Sequence, residues 1–168
     1  MLGGARSGKS AYAESLIGNG GATYVATAEA GDEEMRERIA AHRQRRGDAW
    51  RTIEAPVDLT GALREAGPAG RPVLVDCLTL WLSNVMAADR DVEADIAALG
   101  EGLAAAGPVV LVSNEVGSGI VPDNALARAF RDHAGRLHQA IAARADRVVL
   151  VTAGLPTILK DTTSTMGS

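Results

Sequence analysis

Gly3-Gly4-Ala5-Arg6-Ser7-Gly8-Lys9-Ser10 is the stretch on which the reading of this chain turns. It fits G-x-x-x-x-G-K-[ST] at each fixed position: Gly3, Gly8, Lys9 and Ser10. Small residues let successive backbone N–H groups converge on an anion, and the helix that follows points its positive end at it. In such a loop Lys9 reaches the β- and γ-phosphates of a nucleotide, and the Ser10 hydroxyl ligates Mg²⁺. Four fixed positions, a helical sequel and a place ahead of an α/β pattern weigh against a mere glycine turn capping a helix. A loop of this kind follows a strand. Only Met1-Leu2 precede Gly3, so the first strand is expected either to be cut short or to begin before Met1.

Downstream, apolar runs rich in β-branched residues predict buried strands at Thr23–Thr27, Val73–Asp76, Val109–Ser113 and Arg147–Thr152. Each run is continuous rather than alternating, the pattern of strands with helices on both sheet faces. Helices are expected over Gly8–Gly18, Asp32–Arg46, Val92–Ala106 and Asn124–Ala145. The second opens with Asp32-Glu33-Glu34 and closes with Arg43-Gln44-Arg45-Arg46, the charge order that suits the helix dipole. The last sets Leu126, Phe130, Ala134, Leu137 and Ile141 along one face. Strands alternating with helices give an α/β class: a three-layer fold around a largely parallel central sheet. Residues 1–160 read as one catalytic domain, and the small, polar residues 161–168 as a flexible tail.

Composition narrows the function. The 168 residues are 46% hydrophobic, which argues against disorder and supplies a core. A formal net charge of −4 makes nucleic acid a poor main partner. The longest apolar run, Val73–Leu82, is cut by Asp76 and falls short of the roughly 20 residues of a membrane span. One cysteine, Cys77, excludes an intrachain disulfide framework and a Cys-cluster zinc site, and suits a reducing compartment. With no leader sequence visible ahead of the glycine loop, a cytoplasmic protein is expected.

A Mg²⁺ site beside a phosphate loop calls for a carboxylate at the end of a neighbouring strand. Val73-Leu74-Val75-Asp76 supplies one, and Glu115, after Val109–Asn114, is a rival. Residue types alone do not rank the two. His42 poses a similar choice. Arg38, Arg43, Arg45 and Arg46 crowd around it, and arginines grip phosphate bidentately while lowering the pKa of a nearby imidazole. A neutral, nucleophilic His42 set against a polyphosphate is one reading. The other takes Met35, Ile39, His42 and Arg46 as a helix stripe, with the arginines a solvated helix end. His133 and His138 lack such a cluster and read as structural or surface residues.

With these elements placed, the chain resembles the adenosylcobinamide kinase/adenosylcobinamide-phosphate guanylyltransferase (CobU/CobP) family from Gly3 to Lys160. The landmarks are the phosphate loop, Tyr24-Val25-Ala26-Thr27-Ala28, Arg38-Ile39-Ala40-Ala41-His42-Arg43 and Asp76-Cys77-Leu78-Thr79-Leu80-Trp81. Beyond these come Ser113-Asn114-Glu115-Val116-Gly117-Ser118-Gly119-Ile120-Val121-Pro122 and Ala153-Gly154-Leu155-Pro156. The phosphate loop alone fits many families; these segments in this order are far more selective.

The resemblance implies a P-loop NTPase fold and two reactions. ATP or GTP phosphorylates adenosylcobinamide, and GTP then donates GMP to adenosylcobinamide phosphate through a guanylylated histidine, here His42, with Mg²⁺ present. It also implies a homotrimer. By motif, the nucleotide contacts fall on Gly3, Gly4, Ala5, Arg6, Ser7, Gly8, Lys9, Ser10, Ala26, Thr27, Ala28, Arg43, Gln44, Arg45, Arg46, Glu54 and Asp76, with Ser10 and Asp76 toward the metal. Lys9 and His42 carry the catalysis. Gly117-Ser118-Gly119 is a flexible loop suited to contact substrate or a neighbouring subunit. One departure stands out: some relatives carry paired histidines where this chain has Ala41 before His42. The competing readings are a plain P-loop small-molecule kinase with no covalent role for His42, and a nucleotide-binding switch.

Overall fold

The computed structural model describes residues 1–29, 33, 49–67 and 70–163. Numbered over these residues, the chain runs β1 (Leu2–Gly3), α1 (Lys9–Ile17), β2 (Thr23–Ala26), β3 (Arg51–Glu54), α2 (Leu59–Ala66), β4 (Val73–Asp76) and α3 (Leu78–Ala87). It continues through α4 (Val92–Ala105), β5 (Val109–Asn114), α5 (Ala125–Arg144), β6 (Arg147–Thr152) and β7 (Leu155–Asp161). The strands form one sheet in the order β3-β2-β4-β5-β1-β6-β7. Its pairs are parallel except β6–β7, an antiparallel hairpin with a register shift between Val148 and Val149. This is the three-layer α/β arrangement with a largely parallel sheet.

The continuous apolar strands are explained by what covers them. Val25, Val73 and Val75 point to one face, where α2, α3, α4 and α5 bury Leu63, Trp81, Leu82, Leu99 and Leu137. Tyr24, Leu74 and Val112 point to the other, where α1 inserts Ala13. Successive strand residues face opposite ways, so a strand covered on both sides must be apolar throughout. On α5, Phe130, Ala134, Leu137 and Ile141 pack inward as expected, whereas Leu126 at the helix start is 67% exposed.

The helix starts obey simple chemistry. The carboxylates of Asp58 and Asp91 and the Asn124 side chain accept N–H hydrogen bonds in the first turns of α2, α4 and α5 at 2.8–3.2 Å. Four elements have no counterpart in the sequence expectation: β3, α2, α3 and β7. β7 runs to Asp161, one residue past the expected domain end. Asp161 closes β7 with an Arg147 ion pair at 2.8 Å, and Thr162 N donates to Asp146 O at 2.9 Å. The ordered hydrogen bonding therefore passes the expected boundary at 160. The helix expected over Asp32–Arg46, with His42, Arg43, Gln44, Arg45 and Arg46, lies outside the described residues apart from Glu33.

Candidate active site

The short strand is present. β1 is wedged between β5 and β6, with Leu2 opposite both Ser113 and Leu150. Its last residue, Gly3, opens the phosphate loop, and the loop's shape explains its fixed glycines. A Cβ on Gly3 would lie 2.5 Å from both Ser7 Oγ and the Val151 carbonyl oxygen, so no side chain fits there. Gly8 has φ +93°, and a Cβ on it would stand 3.2 Å from Gly154 Cα. Gly4, by contrast, is open: nothing lies within 4 Å of its would-be Cβ.

Between these glycines the loop closes on itself. Ser7 N donates to Gly4 O at 3.3 Å, and Gly154 N donates to Ser7 O at 2.8 Å. The Ala153-Gly154 turn of the β6–β7 hairpin thus buttresses the loop from behind. Arg6 takes a left-handed conformation with φ 55°, exposed at the rim. Lys9 is buried, and its ammonium donates to Gly4 O at 3.1 Å, folded over the loop. Among the described residues no side chain caps α1, and no acidic residue occupies its first turn. Its leading N–H groups and its dipole therefore face the loop, as an anion requires. Ser10 is half-buried in that first turn.

The strand ends line up beside the loop. Ala26 is in register with Glu54 of β3 on one side and Asp76 of β4 on the other. Gly3 pairs with Asn114 of β5. Glu54, Ala26, Asp76, Asn114 and Gly3 thus run along the carboxyl edge of the sheet, where open parallel sheets bind ligands. Asp76 does not sit on a strand adjacent to β1, as the metal argument expected; β5 lies between them.

The two rival carboxylates differ in what they hold. Both oxygens of Glu115 are turned into its own loop, accepting from Gly117 N at 2.7 Å and Ser118 N at 3.3 Å. Burial opposes its ionisation, but hydrogen bonds from the Ser118 hydroxyl and from these N–H groups outweigh it and hold the carboxyl below the ordinary glutamate range. Asp76 is half-buried, and among the described residues no donor is paired with its carboxylate. Asp76 thus differs from Glu115 in having no such donors among the described residues.

Thr27 proves to be a positioning residue. Its buried hydroxyl donates to Cys77 O at 2.7 Å and accepts from Cys77 N at 2.8 Å, and its carbonyl accepts from Asn84 Nδ2 at 2.9 Å. These bonds pin the chain immediately after Asp76 to the end of β2. Thr79 extends the network by accepting from Asn114 Nδ2 at 3.0 Å. Burial pushes the Cys77 thiol up, so this side chain is packing rather than nucleophile. Ala28 follows Thr27 half-buried at the crevice margin. Sequence reasoning assigned no role to Asn84, Thr79 or Gly154. Thr79 and Gly154 stand within the landmark segments, but the contacts that tie them to Asn114 and to the phosphate loop join residues distant along the chain.

A glycine loop between β1 and α1, a buried lysine folded over it and a carboxylate at the end of a parallel strand define a nucleotide-binding enzyme of the P-loop type. The chain matches the family model described as "Cobinamide kinase / cobinamide phosphate guanyltransferase" over residues 1–159, and it belongs to that family. It is 51% identical over 168 residues to the bifunctional adenosylcobalamin biosynthesis protein CobP of Pseudomonas aeruginosa, covering 95% of each chain. It is 42% identical over 177 residues to the bifunctional adenosylcobalamin biosynthesis protein CobU of Escherichia coli, covering 95% of this chain and 98% of the relative. The like-named protein of Salmonella typhimurium is 42% identical over 180 residues. The chain is accordingly an enzyme, a nucleotide-using transferase. Among the described residues, no helix is long and apolar enough to cross a membrane.

Proposed function

We propose that this enzyme phosphorylates the aminopropanol hydroxyl of adenosylcobinamide with ATP or GTP. It then transfers GMP from GTP to the resulting phosphate through a guanylylated His42, giving adenosylcobinamide-GDP and pyrophosphate. The observation that carries the reading is the phosphate loop: a helix end with no side-chain cap among the described residues, a buried ammonium and two sterically required glycines, with Asp76 at the end of a strand along the same sheet edge. Family membership supplies the substrate class.

One cradle serves both steps. With the β- and γ-phosphates in the loop, attack on the γ-phosphorus by a hydroxyl gives the kinase reaction. Attack on the α-phosphorus by His42 makes the same two phosphates the leaving pyrophosphate. In either case Lys9 and the α1 dipole meet the charge that develops on the loop-bound oxygens. A histidine nucleophile divides a transfer between two anions into two steps, and Arg43, Arg45 and Arg46 supply the cationic surroundings for the triphosphate. Glu54, at the far end of the strand-end row, has the acceptors for guanine's N1–H and exocyclic amine. Ala26 and Ala28 offer small walls to the nucleotide between them.

Ser10 and Asp76 form a hard-oxygen donor set, the kind Mg²⁺ selects alongside phosphate oxygens, and they would hold it. When bound, it neutralises phosphate charge. We further infer one catalytic domain over residues 1–160, a cytoplasmic location and a homotrimer. In support, Ile120 and Val121 of the loop before α5 are 97% and 58% exposed, apolar surface that an assembly would cover.

Incubation with adenosylcobinamide, ATP, GTP and Mg²⁺, followed by mass spectrometry, tests the reading. A phosphate ester that converts to the GDP ester with release of pyrophosphate is expected. Accumulation of the phosphate ester alone would instead identify a plain kinase.

A further inference from the structure

Three strand ends carry side chains to the face of the sheet that α1 covers. Tyr24, Leu74 and Val112 pack there with Ala13 of α1. Side chains two positions apart along a strand share a face, so Ala26, Asp76 and Asn114 lie on it too, at the carboxyl ends of β2, β4 and β5. Of the three, Asn114 is nearest the phosphate loop. β5 lies between β4 and β1. Asn114 is in register with Gly3, and Glu115 N donates to Gly3 O at 3.0 Å. Neighbouring strands stand about 4.8 Å apart, which puts Asn114 one strand spacing from the start of the loop.

The Asn114 amide has a fixed direction. Its Nδ2 donates to the Thr79 hydroxyl at 3.0 Å and lies 4.0 Å from Cys77 Sγ. Thr79 is buried at the start of α3, and its Oγ1 accepts from Asn114 N as well, at 3.4 Å. With the nitrogen turned toward α3, the amide oxygen is turned away from it. Among the described residues no donor is paired with that oxygen, and Asn114 is only half-buried. From Glu54 to Gly3 the sheet edge crosses four strand spacings, about 19 Å, the span of an extended nucleoside triphosphate. With its base at Glu54, such a nucleotide ends its phosphate chain beside β5 and β1.

We propose that Asn114 is a catalytic residue of the phosphorylation step: its amide oxygen accepts a hydrogen bond from the alcohol that attacks the γ-phosphorus, and so aims that alcohol. The proposal rests on the kinase reading above. As the bond from the alcohol oxygen to phosphorus forms, the bond from phosphorus to the β,γ-bridging oxygen breaks. Its electron pair leaves on the nucleoside diphosphate. The alcohol proton passes to an oxygen of the transferred phosphoryl group, because an amide oxygen accepts a hydrogen bond but is too weak a base to keep the proton. Thr79 is the positioning residue behind Asn114. In guanylyl transfer the nucleophile is His42 and the attacked phosphorus is α, so Asn114 takes no part. One cradle thus keeps a separate aiming group for one of its two reactions.

Asn114→Ala and Thr79→Val in the full chain test this with three readouts. Label from γ-labelled GTP bound to the corrinoid counts phosphorylation whether or not guanylyl transfer follows. The others are the Kd for GTP and the rate at which α-labelled GTP labels the protein. Asn114→Ala is expected to lower kcat for phosphorylation by about 100-fold and Thr79→Val by about 10-fold, the loss that follows from a misaimed nucleophile. The other two readouts should stay within about threefold of the parent. Phosphorylation within about threefold of the parent in either variant would overturn the proposal. So would an equal fall in protein labelling, the mark of a disturbed site rather than a lost aiming group. A parent that puts no label on the corrinoid would overturn the kinase reading itself, a failure visible without either variant.

Discussion

Lys9 owes its position to burial and to a carbonyl. At 8% exposure its ammonium lies against Gly4 O, in a loop whose other donors are fixed backbone N–H groups. If the γ- and α-phosphorus reactions share that loop, then Lys9→Ala lowers kcat of both by about 10²–10³, the cost of one preorganised donor. Steady-state rates for the two half-reactions check this; a normal rate in either would separate that reaction from the loop. Thr27 makes a second, quieter case. Thr27→Val keeps the shape but leaves Cys77 N–H buried without its acceptor, which costs about 1–3 kcal/mol by denaturant titration. Because those bonds fix the chain beside Asp76, kcat should fall while the KM for nucleotide changes little. The role of Gly8 was readable from the motif, since glycine alone tolerates φ +93°. Thr27 was not so readable: its partner is fifty residues away.

At the scale of elements, β5 and α5 are joined by a half-buried polar contact, Ser113 Oγ to His138 Nε2 at 2.7 Å. Burial lowers the His138 pKa, and the Met1 ammonium acts in the same direction, while the Glu115 carboxylate opposes them. The folded protein thus binds the proton less readily than the unfolded chain. Stability from neutral His138 is complete above the ordinary value of 6.5 and is lost as pH falls toward the lower folded-state value. Between about pH 7.5 and 5, His138→Gln should therefore lose less stability than the parent, as followed by urea midpoints. An equal loss would show that His138 does not titrate with folding.

The same scale shows why some elements were legible and others not. β4 and β6 sit at their expected bounds, because uninterrupted β-branched runs between Gly/Pro signals leave little choice. α3 was hidden because it leaves β4 through Cys77 alone, so one apolar run, Val73–Leu82, holds a strand and most of a helix turn sequence. Its own spacing of Leu78, Trp81, Leu82 and Val85 is helical, and so is that of Leu59, Ala62, Leu63 and Ala66 in α2. β3 and β7 are the sheet's outermost strands, largely exposed, and carry neither a buried run nor strict alternation.

For the molecule as a whole, the sheet order decides how the crevice is used. The phosphate loop follows β1, Asp76 ends β4 two places away, and Glu54 ends β3 at the sheet's far edge. A nucleotide lying along this edge would have its phosphates at the loop and its base toward Glu54. The loop could be read from residue types in order, and Asp76 only as one of two candidate carboxylates with Glu115. The relation of the loop to Asp76 across β5 could not, because strand order is set by packing of the whole chain. Shared use of one cradle by two reactions is the central claim, and it hinges on a covalent bond to His42. Incubation with Mg²⁺ and α-labelled GTP, followed by denaturation, tests it most directly. Acid-labile, base-stable label retained by the parent and absent from His42→Ala is the expected result. A parent that makes the phosphate ester yet retains no label would contradict it.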